Sequence, residues 1–192
     1  NYDLSITKNI HLLIKQIFKK FNRIDGLINC HGISREIKRS TSKIKNFDET
    51  LNINLRSTYV ISSEVCKIMG KRKVGSIINI TSLGASLGFP NNPAYQISKA
   101  GIKQLSKSLA VDWGGKNIRV NNICPGYIKT NMTIKSYNNS KLKKKRLSRM
   151  ILKRWGSPND IIGAACFLIS DSSSYITGSD LYIDGGWTAK GL

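Results

Sequence analysis

The sequence predicts an α/β protein built on a doubly wound parallel sheet, and three observations carry that prediction. Short apolar runs without internal alternation, "GLINC", "GSIINITS", "IRVNNICPG" and "DLYIDGG", are separated by segments whose apolar residues recur at helical spacing. Strands that are apolar on both sides are buried on both faces, which is what a parallel sheet covered by helices requires. Stop and start residues also fall at the joints, such as Asn92-Pro93 before one helix and Gly114-Gly115 after it.

The elements follow in chain order. Ile10, Leu13, Ile14, Ile17, Phe18 and Phe21 predict an amphipathic helix over 8–22, with Thr7 as its N-cap. "DGLINCHG" is a buried strand ending at Gly32, and a helix follows near 47–70. A second strand covers 75–81. Asn92 and Pro93 open a long helix whose stripe runs through Ile102, Leu105, Leu109 and Trp113. "IRVNNICPG" is the third strand, and the lysine-rich stretch 138–154 is expected to be helical. Ser157-Pro158 start a helix with Ile161, Ala165 and Leu168 inward, and "DLYIDGG" closes the sheet. No repeat or linker divides the chain, so residues 1–192 are expected to form one domain.

Composition narrows the function classes. The formal charge is +20, but the lysines are spread along the chain, and the sharpest cluster, "KLKKKR" at Lys141 to Arg146, reads as a solvated helix face. Without interleaved aromatics or a zinc-finger spacing, nucleic acid is not an expected partner. Cys30, Cys66, Cys124 and Cys166 show no C-x-x-C spacing and sit among apolar neighbours, as free thiols do in a reducing cytoplasm. No run is long enough to span a membrane, nothing at "NYDLSITKN" directs export, and no metal site is visible.

The chemistry lies in "NPAYQISKAGIKQ", which puts Tyr95 four positions before Lys99 on one helical face. Such a pair is common by chance. Ser82, just past the strand "SIINIT", changes its meaning, because ligands of open parallel sheets bind outside the carboxyl ends of the strands. Gly32 and Pro125-Gly126 end two further strands on that edge. A tyrosine ionises near pH 10, and a cation a few ångströms away lowers that value. Tyr95 beside Lys99 is therefore expected to exchange a proton with an alcohol or carbonyl oxygen held by Ser82, while the hydride comes from a cofactor.

These residues resemble the short-chain dehydrogenase/reductase family. Ser82, Tyr95 and Lys99 have its spacing, and Asn54 in "NINLRST" falls where it places the fourth member of a catalytic tetrad. "LINCHG" is similar to its N-N-A-G strand end, "PGYIKT" to its P-G-x-x-x-T loop and "YITGSDLYIDGG" to its closing strand. The resemblance runs from Asp3 to the C-terminus and implies a Rossmann-like fold, NAD or NADP as cofactor, and a homo-dimer or homo-tetramer. It also implies roles. Tyr95 is the acid/base, Lys99 lowers its pKa and binds the nicotinamide ribose, Ser82 orients the substrate oxygen, and Asn54 supports a water-linked proton path to Lys99. Asn29 and Gly32 line the cofactor with Pro125 and Gly126, Thr130 and the backbone of Ile128 face the carboxamide, and Asp3 lies near the adenine.

Two departures stand out. The family's opening strand and glycine-rich T-G-x-x-x-G-x-G turn have no counterpart, so the chain is expected to lack on the order of 60 residues at ~30 per βαβ unit. The first family strand would lie beside "GLINC", and its absence predicts an exposed apolar strand edge. Cys30 and His31 replace Asn and Ala, and an imidazole there is expected to crowd the cofactor. The tail from Arg154 is most similar to dehydrogenases of sugar acids and polyols such as gluconate or deoxygluconate. The 3-oxoacyl carrier-protein reductases are the alternative, with the basic segment 141–154 then meeting an acidic carrier, and a non-catalytic remnant is the third reading. The segment Met132 to Trp155 is expected to form a substrate lid.

Overall fold

The computed structural model describes residues 2–35 and 44–190. It contains helix α1 (Ile10–Phe21), strand β1 (Gly26–Asn29), helix α2 (Ile44–Leu51), helix α3 (Ser57–Arg72), strand β2 (Gly75–Ile80), helix α4 (Pro93–Gly114) and strand β3 (Ile118–Pro125). Helices α5 (Ile134–Asn138), α6 (Ser140–Arg149) and α7 (Asn159–Ile169) and strand β4 (Asp180–Ile183) complete it. The four strands are all parallel and lie in the order β1-β2-β3-β4. This is the predicted Rossmann-like α/β architecture.

Alternate residues of one strand face opposite sides of the sheet, and that separates two cores. Ile77 and Val120 point to the side covered by α1, α3 and α4, where they pack with Ile14, Val65, Met69 and Leu109. Ile78 and Ile123 point to the other side, against Leu168 of α7 with Ile161 and Ala165 partly buried beside it. Three helices thus cover one face and a single helix the other. "GLIN" is less buried than its composition predicts, because β1 is an edge strand among the described residues: Ile28 is 46% exposed on the α7 side.

Several boundaries differ from expectation for local reasons. Thr7 is not a cap; it opens a 3-10 turn, and the helix starts at Ile10 after Asn9, with no side-chain cap. The helix read at 47–70 begins at Ile44 and is interrupted by a π-helical turn, Asn52–Arg56, before α3. One extra residue per turn re-aims a side chain inward, and Asn54 is fully buried there. The segment 138–154 is helical only in part, because Asn139 breaks it by capping α6 through Leu142 N at 3.0 Å, and α6 stops at Arg149.

Candidate active site

At the carboxyl end of β2, Ser82 is extended, and its Oγ accepts the Gly84 N–H at 3.1 Å, which starts a short 3-10 turn. Tyr95 is in the first turn of α4, and its ring and the Ser82 hydroxyl both border Gly84, where an added Cβ would stand 3.7 Å from Tyr95 Cε1 and 3.6 Å from Ser82 Oγ. One turn later Lys99 is buried, with Nζ 5.9 Å from the Tyr95 ring centroid. Its ammonium donates to the Ile80 carbonyl at 2.7 Å. That single bond leaves two of its three N–H groups for a ligand. Gly32 keeps the strand end open, since a Cβ there would stand 3.4 Å from both Lys99 Nζ and Asn54 Oδ1.

Burial sets the electrostatics. It pushes Lys99 down to about 8, with nearby Cys30 partly opposing the shift. It pushes the Tyr95 phenol up, and the nearby Ser82 side chain only partly reverses this. The expected lowering of Tyr95 by Lys99 is not what the side chains alone produce. Removing both groups from water disfavours phenolate and ammonium alike.

Asn54 ties this geometry together. Its Oδ1 accepts the Ile33 N–H at 2.8 Å, and its Nδ2 donates to the Ile33 carbonyl at 2.9 Å and to Ser98 Oγ at 3.0 Å. Ser98 in turn donates to the Tyr95 carbonyl at 2.7 Å. The side-chain amide thus pairs with the backbone beyond Gly32 as a strand would, and links that loop to the turn carrying Tyr95. Both amide hydrogens are engaged, so the side chain holds the frame of the site and has no donor left for a water path.

The remaining predicted residues separate into two groups. Gly126 ends β3, and a Cβ there would meet Asp184 Cα at 2.7 Å, so glycine is needed for close approach. Pro125 and Ile128 flank the same strand end, and the Ile128 carbonyl accepts the Thr133 hydroxyl at 2.5 Å. Thr130 is exposed and opens the turn into α5, with its carbonyl accepting Thr133 N at 3.0 Å. Asp3 is exposed, and its carboxylate accepts the Ser5 N–H at 2.8 Å, which holds it below its ordinary value. Asn29 does not line the crevice. Its amide is buried on the α3 side and donates to Ser62 Oγ at 3.0 Å and Asn79 Oδ1 at 2.7 Å.

That last contact begins a chain that sequence reasoning missed. Asn79 donates to Ser106 Oγ at 2.8 Å, Ser106 to Asn122 Oδ1 at 2.6 Å, and Asn122 to Asp180 Oδ1 at 2.7 Å. Asn29, Asn79, Asn122 and Asp180 are register partners on successive strands, so one polar side chain per strand crosses the sheet, with Ser106 of α4 between two of them. The signal was present as lone asparagines inside "IINI" and "VNNIC", since buried polar groups persist only where they are hydrogen-bonded.

His31 does not crowd the crevice either. Its Nε2 lies 2.7 Å from Ser57 Oγ and 3.2 Å from Thr58 Oγ1. Those hydroxyls already donate to the Ile53 and Asn54 carbonyls at 2.6 and 2.7 Å. Burial, with the Lys99 charge, holds the imidazole below its ordinary pKa.

A parallel sheet with a buried lysine, a tyrosine and a serine at its strand ends defines a class, and comparison with known proteins identifies it. A family model described as Enoyl-(Acyl carrier protein) reductase matches residues 1–188. The chain belongs to the short-chain dehydrogenase/reductase family of NAD(P)-dependent oxidoreductases. It is 37% identical over 187 residues to the 3-oxoacyl-(acyl-carrier-protein) reductase FabG of Thermotoga maritima, covering 96% of this chain and 75% of that one. It is 36% identical over 188 residues to the 2-dehydro-3-deoxy-D-gluconate 5-dehydrogenase of Pseudoalteromonas atlantica, covering 98% and 74%. The gluconate 5-dehydrogenase of Burkholderia cenocepacia, solved in complex with NADP and tartrate, superposes with a TM-score of 0.96 at 27% identity, over 99% of this chain and 74% of that one. No helix among the described residues is long and apolar enough to cross a membrane.

Proposed function

We propose that the chain interconverts a secondary alcohol and a ketone on a small polar substrate, sugar-acid or polyol-like, with Tyr95 as acid/base. The observation that carries this reading is the convergence of Ser82, Tyr95 and Lys99 outside the strand ends. Lys99 keeps two free N–H donors beside the opening left by Gly32, which suits the hydroxyls of a ribose. The pyridine nucleotide supplies or accepts the hydride when bound. In the reducing direction Ser82 holds the substrate oxygen and Tyr95 gives it a proton; in the oxidising direction Tyr95 takes that proton back. The Lys99 charge favours the phenolate in the charge-separated state, and Asn54 positions Tyr95 through Ser98. Gly32, Pro125, Gly126, Ile128 and Thr130 are proposed to border the cofactor, with Asp3 toward its adenine end and Asn29 acting only through the sheet.

Further parts of the reading rest on the packing. The chain is one domain, since the two cores lie on opposite faces of one sheet and share strands β2 and β3. It forms a homo-oligomer through the helices that carry Asn54 and Tyr95, where a groove is lined by Leu51, Leu55, Tyr59 and Leu105, and the exposed edge of β1, with Ile28 46% exposed, is a second surface for self-association. A cytoplasmic location suits its four free thiols, of which Cys66 is pushed up to about 12 by burial. A second reading, reduction of a 3-oxoacyl carrier-protein thioester, is favoured by the Thermotoga relative.

Titration of the chain with NADPH and NADH, followed by turnover of D-gluconate and of an acetoacetyl thioester, tests these readings. Saturable cofactor binding with gluconate oxidation lost in Tyr95→Phe is expected. Thioester reduction without gluconate oxidation would favour the second reading, and no cofactor binding at all would leave a remnant without catalysis.

A further inference from the structure

The segment joining β3 to α7 has a charge pattern unlike the rest of the chain. Between Asp112 and Asp160 no acidic residue occurs, while twelve lysines and arginines do. Most of those on α6 are solvent-exposed, but Arg146 is half-buried. Its guanidinium carbon lies 4.4 Å from the Tyr127 ring centroid and 5.6 Å from that of Trp155. Among the described residues no carboxylate forms an ion pair with it. Lys143 and Lys129 stand 4.0 and 4.7 Å from the Tyr137 ring, which meets Trp155 edge-on at 5.3 Å. The Trp155 indole N–H in this cluster is itself buried without an acceptor.

The cluster adjoins the crevice. Tyr127 follows Gly126 at the end of β3, and Leu83, next to Ser82, packs with Trp155, Met150 and Trp187. Stacking occupies the faces of a guanidinium and leaves its in-plane N–H fork free. A half-buried cation loses hydration that aromatic faces replace only in part. Arg146, Lys143, Lys129 and the Trp155 N–H are all donors, and no acidic side chain among the described residues answers them. What completes such a group is a ligand that brings negatively charged oxygen, and a carboxylate matches the arginine fork in two parallel bonds. A neutral polyol brings no charge.

We infer that Arg146 is the specificity-determining residue of this crevice, binding a carboxylate on the substrate so that hydroxy or keto acids are selected over neutral polyols. The inference rests on the crevice at Tyr95 being the substrate site. It assigns the anion to one stacked arginine, and not to the diffuse charge of α6.

The test uses the full chain with D-gluconate as the anionic probe and D-threitol as the neutral one, at fixed ionic strength, read by tryptophan emission and by turnover. Gluconate is expected to change the emission saturably in the native chain. Arg146→Met should weaken that binding, and the gluconate-to-threitol ratio of kcat/KM, by about tenfold or more, the loss of one charge-assisted pair, while Arg146→Lys restores part of it. Lys144→Met, which removes an exposed α6 charge, should leave both within about twofold, as a screened surface charge would. Equal losses in Arg146→Met and Lys144→Met, or no saturable gluconate signal in the native chain, would overturn the inference. Threitol turned over in preference to gluconate would also overturn it while leaving Tyr95 its role. Gluconate binding that depends on Arg146 together with unchanged turnover in Tyr95→Phe would sink the catalytic reading instead.

Discussion

At the strand ends Lys99, Asn54 and Asn29 are buried, and each is fixed by hydrogen bonds to the backbone or to another buried side chain. On α6, Lys143, Arg146 and Arg149 lie over aromatic rings at 4.0 to 5.6 Å, with no acidic partner among the described residues. The first region is rigid, which suits the proton transfer proposed for it, where a small displacement costs rate. The second presents charge on side chains that can re-aim, which suits selecting a ligand more than transforming it. The difference teaches that proton transfer and recognition place opposite demands on a side chain: one needs a single direction, the other needs an unmet donor.

The sharpest way to break this contrast is Tyr95→Phe. Loss of the proton-transferring group is expected to lower kcat by about 10²–10⁴-fold, the usual worth of general acid–base catalysis, with NADPH binding retained; stopped-flow and fluorescence titration separate the two. Asn54→Ala comes next. It strands the Ile33 N–H and carbonyl and removes the donor to Ser98 Oγ, so a stability loss of about 1–3 kcal/mol is expected from the unsatisfied groups, read in urea melts. An exposed α6 substitution such as Lys144→Met should change stability by less than about 0.5 kcal/mol.

The pH response sharpens the comparison further. Lys99, held at about 8, is charged below that pH and loses its charge as pH rises through it. Turnover is therefore expected to fall along an alkaline limb near 8, and Lys99→Arg should move that limb beyond 10, because a guanidinium stays protonated. For stability the sign reverses. The unfolded chain binds this proton up to about 10.5 and the folded chain only to about 8, so between those values folding becomes more favourable as pH rises. Urea midpoints of the native chain and of Lys99→Met should converge over that window. The smallest effect concerns neither region: Ile28→Lys, on the exposed edge strand, should reduce self-association in light scattering with activity unchanged.

Much of the fold and the central triad could be read directly. Ser82, Tyr95 and Lys99 sit on a strand end and one helical face, and both are local consequences of spacing. Asn29 was misplaced because nothing local tells which way the last residue of an edge strand points. The hydrogen bonds of Asn54 were not foreseen, since its partners, Ile33 and Ser98, are 21 and 44 residues away. The fall of the lysine-rich run into α5 and α6 turned on the Asn139 cap, whose signal competes with eight residues of strong helix formers.

By itself the sequence determined the order of strands and helices, the family, and the placing of Tyr95 and Lys99 on one helical face, because periodicity and i, i+4 spacing are written along the chain. Only the tertiary structure decided that four polar side chains cross the sheet as one chain, that His31 meets the Ser57 and Thr58 hydroxyls, and that Arg146 lies among aromatic rings while Lys144 and Lys145 face water. Those facts depend on which groups lose their water and which partner then replaces it, and that exchange exists only once distant segments are packed together.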